Sequence, residues 1–181
     1  GIGRGLIADP EWPKKAREGR EKEIRHCISC QGCMTGQPVS CALNPLAGRE
    51  EELRISRAEK VKRVFIAGGG PAGLEAARVA ALRGHDVHLY EKDTLGGQLN
   101  LASVPPGKQE IRLLVDFETE QMTKLGVKIE YRELTPELVR EKRPDAVIVA
   151  TGSHPKEAEL AMHRHRNVVA AEQVLKGNVP E

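Results

Sequence analysis

Between residues 61 and 151 the chain alternates short β-branched runs with longer stretches whose apolar side chains recur at helical spacing. Val61 to Ala67 reads as a buried strand. Pro71 to Arg83 reads as a helix, with Leu74, Ala77, Ala81 and Leu82 on its apolar stripe and Gly84 as its stop. Asp86 to Tyr90 predicts a second strand. Lys108 to Leu125 is the strongest amphipathic pattern, with Ile111, Leu114, Val115, Met122 and Leu125 along one side and Gly126 at its end. A third strand over Val127 to Tyr131, a short helix over Pro136 to Lys142 and a fourth strand over Asp145 to Ala150 complete the series. Strands separated by helices predict βαβ units, hence an α/β fold with a doubly wound parallel sheet. Before residue 60 this periodicity disappears into a stretch rich in Gly, Pro and charge, with few apolar runs long enough for a strand.

Composition narrows the function classes. With 39% hydrophobic residues in 181, the chain can bury a core. Lys+Arg 28 against Asp+Glu 26 leaves a formal +2, which gives no electrostatic reason to expect nucleic acid as a partner. Only 3% of residues are aromatic, against base-stacking platforms and sugar-binding clefts. No stretch approaches the roughly 18 apolar residues of a membrane span. No charged-then-apolar leader opens the sequence, so a cytoplasmic protein is expected.

The first strand runs into Gly68-Gly69-Gly70-Pro71-Ala72-Gly73, a G-x-G-x-x-G with a strand before it and a helix after it. Gly68 lets the chain turn sharply, Gly70 lets backbone approach a pyrophosphate, and Gly73 lets the helix pack close to the strand. The helix N-terminus that Pro71 and Ala72 open offers free N–H groups to phosphate, Pro71 itself having none. Glu91 stands at the end of the second strand, where a carboxylate accepts ribose hydroxyls. An acid there favours a free 2′-hydroxyl, as in FAD or NAD, over a 2′-phosphate.

All four cysteines fall between Cys27 and Cys41, as Cys27-x-x-Cys30-x-x-Cys33 followed by Cys41. Disulfides are disfavoured without a route to an oxidising compartment. Zinc usually takes two separated C-x-x-C knuckles. The tight run of three with one remote thiol suits an iron–sulfur cubane. Zinc and plain thiols stay open as alternatives, and His26 reads as a flanking polar residue rather than a ligand.

Four segments together carry a resemblance: G-G-G-P-A-G-L-E-A-A from Gly68, L-Y-E-K from Leu89, L-G-G-Q-L from Leu95 and V-I-V-A-T-G-S from Val147. They resemble the FAD half of the two-dinucleotide flavoprotein reductases, a Rossmann-like domain. That resemblance implies that Glu91 holds the adenosine ribose and Lys92 lies over the adenosine. It further implies that the Gly96-Gly97-Gln98 turn lies near the pyrophosphate and that Ala150-Thr151-Gly152 closes over the cofactor. Leu134 joins this FAD set.

Upstream, G-I-G-R-G-L-I-A-D-P from Gly1 and Trp12-Pro13-Lys14-Lys15 resemble the end of the last strand and last helix of a flavin-binding (β/α)8 barrel of the old yellow enzyme type. In such barrels the pair corresponding to Gly3 and Arg4 meets the FMN phosphate, near the final strands. The order of parts is similar to the multidomain NADH:flavin oxidoreductases, which include 2,4-dienoyl-CoA reductase, 2-enoate reductase and trimethylamine dehydrogenase. The implied domains are a barrel end over 1–26, an iron–sulfur segment and linker over 27–60, an FAD domain over 61–155, and a link over 156–181 toward a nicotinamide-binding domain. The implied chemistry is a relay from NAD(P)H through FAD and a [4Fe–4S] cluster, held by Cys27, Cys30, Cys33 and Cys41, to FMN and an enoate or enoyl thioester. No catalytic acid is assigned. Two departures stand out: the Cys33–Cys41 gap is shorter than the family's, and Lys156 to Arg166 lacks the usual proline-rich link, with Arg164-His165-Arg166 reading as a solvated basic run. Two other readings are a piece related to the small subunit of glutamate synthase and a module that binds ADP without redox chemistry.

Overall fold

A computed structural model describes residues 2–35, 38–154 and 168–178. Two short helices, α1 (Gly3–Ala8) and α2 (Trp12–Arg17), open the chain. The first segment is therefore helical from Gly3, with no strand end before it among the described residues. The buried Asp9 carboxylate stitches this region together: it accepts from the Lys15 ammonium at 2.7 Å and from the Glu11 and Arg25 backbone N–H groups.

The sheet follows the predicted order of elements: β1 (Arg63–Ala67), α3 (Pro71–Leu82), β2 (Asp86–Tyr90), α4 (Gln98–Ala102), α5 (Arg112–Lys124), β3 (Lys128–Glu130), α6 (Pro136–Lys142) and β4 (Ala146–Val149). A last short helix, α7, spans Ala171–Leu175. The strands are all parallel, in the order β3-β2-β1-β4. Steps from β1 to β2 and from β2 to β3 run one way across the sheet, while the step from β3 to β4 runs back. Right-handed crossovers therefore place α3 and α5 on one face and α6 on the other. The reversal makes the carboxyl ends of β1 and β4 the switch point, where open α/β sheets bind ligands.

Alternation within the strands divides the core. Val64, Ile66, Val87 and Leu89 face Leu74 and Ala77 of α3 and Met122 of α5. On the other face Phe65 and Tyr90 lie with ring centroids 5.1 Å apart. Strand β4 forms an edge of the described sheet, which leaves Val147, Ile148 and Val149 exposed. The long predicted helix from Lys108 starts later, because Gln109–Ile111 is a 3-10 turn before α5. Residues 156–167, including the basic run at Arg164-His165-Arg166, lie outside the described residues.

Packed against α3 and α5 is the segment that precedes the cysteines. Glu23 pairs with Lys124 of α5. Arg25 enters between the helices, and a second apolar cluster of Leu43, Leu114 and Phe117 gathers Ile28, Cys41 and Leu99. Glu118, on the buried side of α5, has its carboxyl pushed up to about 7, first by burial and then by the neighbouring Glu75 carboxylate.

Candidate functional site

The glycine turn sits at the switch point. Gly68, at φ +106, donates its N–H to the Tyr90 carbonyl at 2.8 Å. A side chain on Gly68 would start 2.3 Å from the Ala150 carbonyl oxygen, so β1 and β4 approach too closely there for any residue but glycine. One on Gly73 would start 1.9 Å from the Gly68 carbonyl oxygen, which fixes how closely α3 leaves the strand. Gly70 differs, since nothing lies within 4 Å of where its Cβ would stand. It caps α3 in an extended conformation without a side-chain cap, Pro71 follows, and the first-turn N–H groups of Ala72 and Gly73 have no intrahelical acceptor. Open space beside a glycine, at an uncapped helix N-terminus, suits the pyrophosphate of a dinucleotide.

Two further segments converge on this turn. The Glu91 carboxylate accepts the Gly69 N–H at 2.6 Å on one oxygen and the Asp93 N–H at 2.8 Å on the other. Each oxygen keeps a lone pair, so the carboxylate is oriented at the turn and can still accept ribose hydroxyls. Gly96 donates its N–H to the Gly69 carbonyl at 2.8 Å, and a Cβ on Gly97 would stand 3.0 Å from the Gly70 Cα. The Gly96-Gly97-Gln98 turn thus folds over Gly70, and Gln98 opens α4. Ala150 donates to the Ala67 carbonyl, Thr151 and Gly152 follow it exposed, and Lys92 is exposed beyond Glu91. Leu134 lies half-buried on the connection between β3 and α6, with no hydrogen bond to the turn among the described residues. Gly3 and Arg4 open α1, both exposed.

Sequence reasoning passed over Gly69. A side chain there would start 2.7 Å from Leu95 and 3.1 Å from Glu91, so the middle residue of the turn is confined like Gly68 and unlike the open Gly70. The signal was present: a third consecutive glycine where the motif asks for only two.

The four thiols are free; Cys30 is exposed and the others are half-buried. Within the run, Ser29 and Gln31 adopt φ +54 and +60, a left-handed conformation that non-glycine residues rarely take. These turns curl the chain about Cys30, and the Ser29 N–H donates to the Cys27 sulfur at 3.4 Å. One backbone N–H aimed at sulfur and four soft donors with no carboxylate among them fit a thiolate-ligated metal or cluster. Among the described residues, no three His, Cys, Asp or Glu side chains are gathered closely enough to hold a metal ion.

A profile described as pyridine nucleotide-disulphide oxidoreductase matches residues 62–180. The chain belongs to this family. Among its relatives, the NADH oxidase of Thermoanaerobacter brockii is 46% identical, over 98% of this chain and 29% of its own length. The cinnamate reductase of Clostridium sporogenes is 44% identical, over 96% of this chain and 27% of its own. A solved 2-naphthoyl-CoA reductase, in complex with 2-naphthoyl-CoA, superposes with a TM-score of 0.91 at 34% identity, covering 98% of this chain and 28% of that one. The chain therefore spans less than a third of the length of these relatives, and the similarity includes the segment before residue 62.

The ribose role of Glu91 is open to a direct check. Glu91→Ala should weaken FAD or ADP binding by about 1–3 kcal/mol, the scale for a hydrogen bond to a charged group. Titration calorimetry reads it, and a variant that binds as tightly as the parent removes Glu91 from the site.

Proposed function

We propose that the chain is the FAD-binding and iron–sulfur part of a multidomain flavin oxidoreductase that takes electrons from NAD(P)H and reduces an activated alkene of the enoate or enoyl-thioester type. The observation that carries the reading is the gathering of two segments on the glycine turn, Glu91 on the Gly69 N–H and Gly97 against Gly70, beside the open Cβ position of Gly70 at the start of α3. Gly70 leaves room for the pyrophosphate, the N–H groups of Ala72 and Gly73 face it, and Glu91 accepts from the ribose. Lys92, Gln98, Leu134 and the Ala150-Thr151-Gly152 turn complete the FAD set, Cys27, Cys30, Cys33 and Cys41 hold the cluster, and Gly3 and Arg4 contribute to an FMN phosphate site. When bound, FAD supplies hydride acceptance, the [4Fe–4S] cluster single-electron transfer and FMN delivery to the alkene.

The chain's own residues bind and orient; none of them is assigned as a proton donor. Support for the alkene comes from relatives named as cinnamate reductase and 2-naphthoyl-CoA reductase. Similarity across 98% of the chain, opening segment included, favours this reading over a piece related to the glutamate synthase small subunit. No described helix is long and apolar enough to cross a membrane. A cytoplasmic setting is proposed because free thiols persist in a reducing compartment.

A second reading is a site that holds ADP alone. It is favoured by one observation: Glu91, Gly69, Gly70 and Gly97 all serve the adenosine and pyrophosphate end. Reconstitution with FAD separates the two, since a retained yellow spectrum excludes an ADP-only site. The isolated 181-residue chain is expected to bind adenine nucleotides and to reduce no enoate or dienoyl thioester with NADH or NADPH. A barrel phosphate site draws on several loops, and Gly3 and Arg4 supply only one. Turnover above the free-flavin background, with FMN, FAD and reconstituted cluster added, overturns that expectation.

A further inference from the structure

A buried charged network joins the cysteine segment to the helix that starts at the glycine turn. Arg25, Arg78 and Glu118 are 6%, 9% and 4% exposed. Arg78 grips Glu75 one turn earlier on α3 through two hydrogen bonds of 2.7 Å. The Arg25 guanidinium reaches Glu75 at 3.5 Å and Glu118 of α5 at 3.8 Å, and lies 4.8 Å from the Phe117 ring centroid. Its backbone N–H is held by Asp9. Two guanidinium and two carboxylate groups thus meet where the segment before Cys27 crosses both helices.

The network is a poor stabiliser. Arg25 Nε and Glu118 Oε2 are buried without a hydrogen-bond partner, and an unsatisfied buried polar atom is costly, more so on a charged group. Apolar residues of similar size often serve stability better than buried ion pairs. What such a network supplies is a single register: only one placement of Arg25 meets Glu75 and Glu118 together. The residue it seats is two positions before Cys27. Ile28 and Cys41 extend the same contact onto Leu114 and Phe117 of α5.

We propose that Arg25 is a positioning residue for electron transfer: locked between α3 and α5, it fixes the separation between the thiol loop and the dinucleotide turn. This rests on the cluster and FAD assigned under the proposed function. No bond forms or breaks in the step itself. One electron leaves the reduced isoalloxazine and one ferric iron of the cluster becomes ferrous, with NAD(P)H as the source of the electron pair. Electron transfer falls steeply with distance, so a loop free to shift slows it without touching either cofactor's ligands.

The test uses the full-length protein with Arg25→Met and Arg25→Lys. Rapid mixing with NAD(P)H should show FAD reduction within twofold of the parent in both. Bleaching of the cluster should slow at least tenfold in Arg25→Met and recover in part in Arg25→Lys. Amide exchange over residues 24–34 should quicken at least tenfold in Arg25→Met. Should that variant fail to fold, Glu118→Gln keeps the volume and is expected to slow cluster bleaching at least threefold. Unchanged bleaching overturns the proposal even where exchange has quickened. A parent without iron and sulfide removes the cluster reading instead; exchange alone then judges the seat of Arg25, and unchanged exchange overturns it.

Discussion

Gly73→Ala is expected to cost the chain about 2–4 kcal/mol of stability, while Gly70→Ala keeps the parent's stability and loses at least nine-tenths of its adenine-dinucleotide affinity. The two glycines stand three residues apart in one motif, yet they meet different surroundings. A methyl on Gly73 would start 1.9 Å from the Gly68 carbonyl oxygen, in a turn already pinned by the Gly68–Tyr90 and Gly96–Gly69 hydrogen bonds. Neither backbone can give way, so α3 must lift from β1. The cost takes the upper range of overpacking, about 1–3 kcal/mol and occasionally more. A helical Ala-for-Gly gain of roughly 0.5–1 kcal/mol does not offset it.

At Gly70 the backbone is extended and open space surrounds the Cβ position. Alanine there strains nothing in the fold; the gain of about 0.4–1 kcal/mol from restricting the unfolded chain is balanced by alanine being a poorer N-cap than glycine by a similar amount. It does fill the approach to the α3 N-terminus that a pyrophosphate needs. A tenfold loss of affinity corresponds to about 1.4 kcal/mol. Urea unfolding separates the stabilities, and calorimetric titration with FAD and with ADP reads the affinities. Parent-like binding by Gly70→Ala would place the pyrophosphate elsewhere.

How much of this was legible in the sequence follows from which forces act locally. The strands and α3 were readable because β-branched runs and helical spacing are direct consequences of burial on a parallel sheet. The convergence of Glu91 on Gly69 and of Gly97 on Gly70 was readable only as an ordered set of motifs. Helix α4 was read as a plain turn, since Gly96 and Gly97 mask a five-residue helix in which Leu99 alone joins a core cluster. The path of the cysteine loop was not readable, because left-handed Ser29 and Gln31 follow from no periodicity. The Arg25 network left a clearer trace: Glu118 falls four residues from both Leu114 and Met122, and Arg78 four from Leu74, on the stripes that face the core. A charge at a core position of a helical pattern announces a buried partner, here supplied by a segment some 50 residues upstream of α3's Glu75. The exposure of β4 was illegible for another reason: its apolar run predicts a strand but not its place in the sheet, and β4 lies at an edge of the described strands.

Cys41→Ala is expected to abolish most cluster assembly while leaving the α/β core and adenine-nucleotide binding intact. Cys41 is the remote thiol, and it packs against the second apolar cluster of Leu43, Leu114 and Phe117. Its seat on α5 therefore depends on packing that a methyl group retains, and a half-buried thiol-to-methyl truncation should cost about 1 kcal/mol or less. Iron has no such substitute. In the proposed cluster Cys27, Cys30 and Cys33 would take three corners of a cubane, leaving the fourth to Cys41. After anaerobic reconstitution the parent should hold about four iron and four sulfide per chain, as a [4Fe–4S] cluster requires, and Cys41→Ala less than half of each. FAD and ADP affinities should stay within twofold, since Gly70, Glu91 and Gly97 are held by their own hydrogen bonds and contacts. Stoichiometric zinc without sulfide in the parent would sink the cluster assignment, and full iron in Cys41→Ala would remove Cys41 from the ligand set.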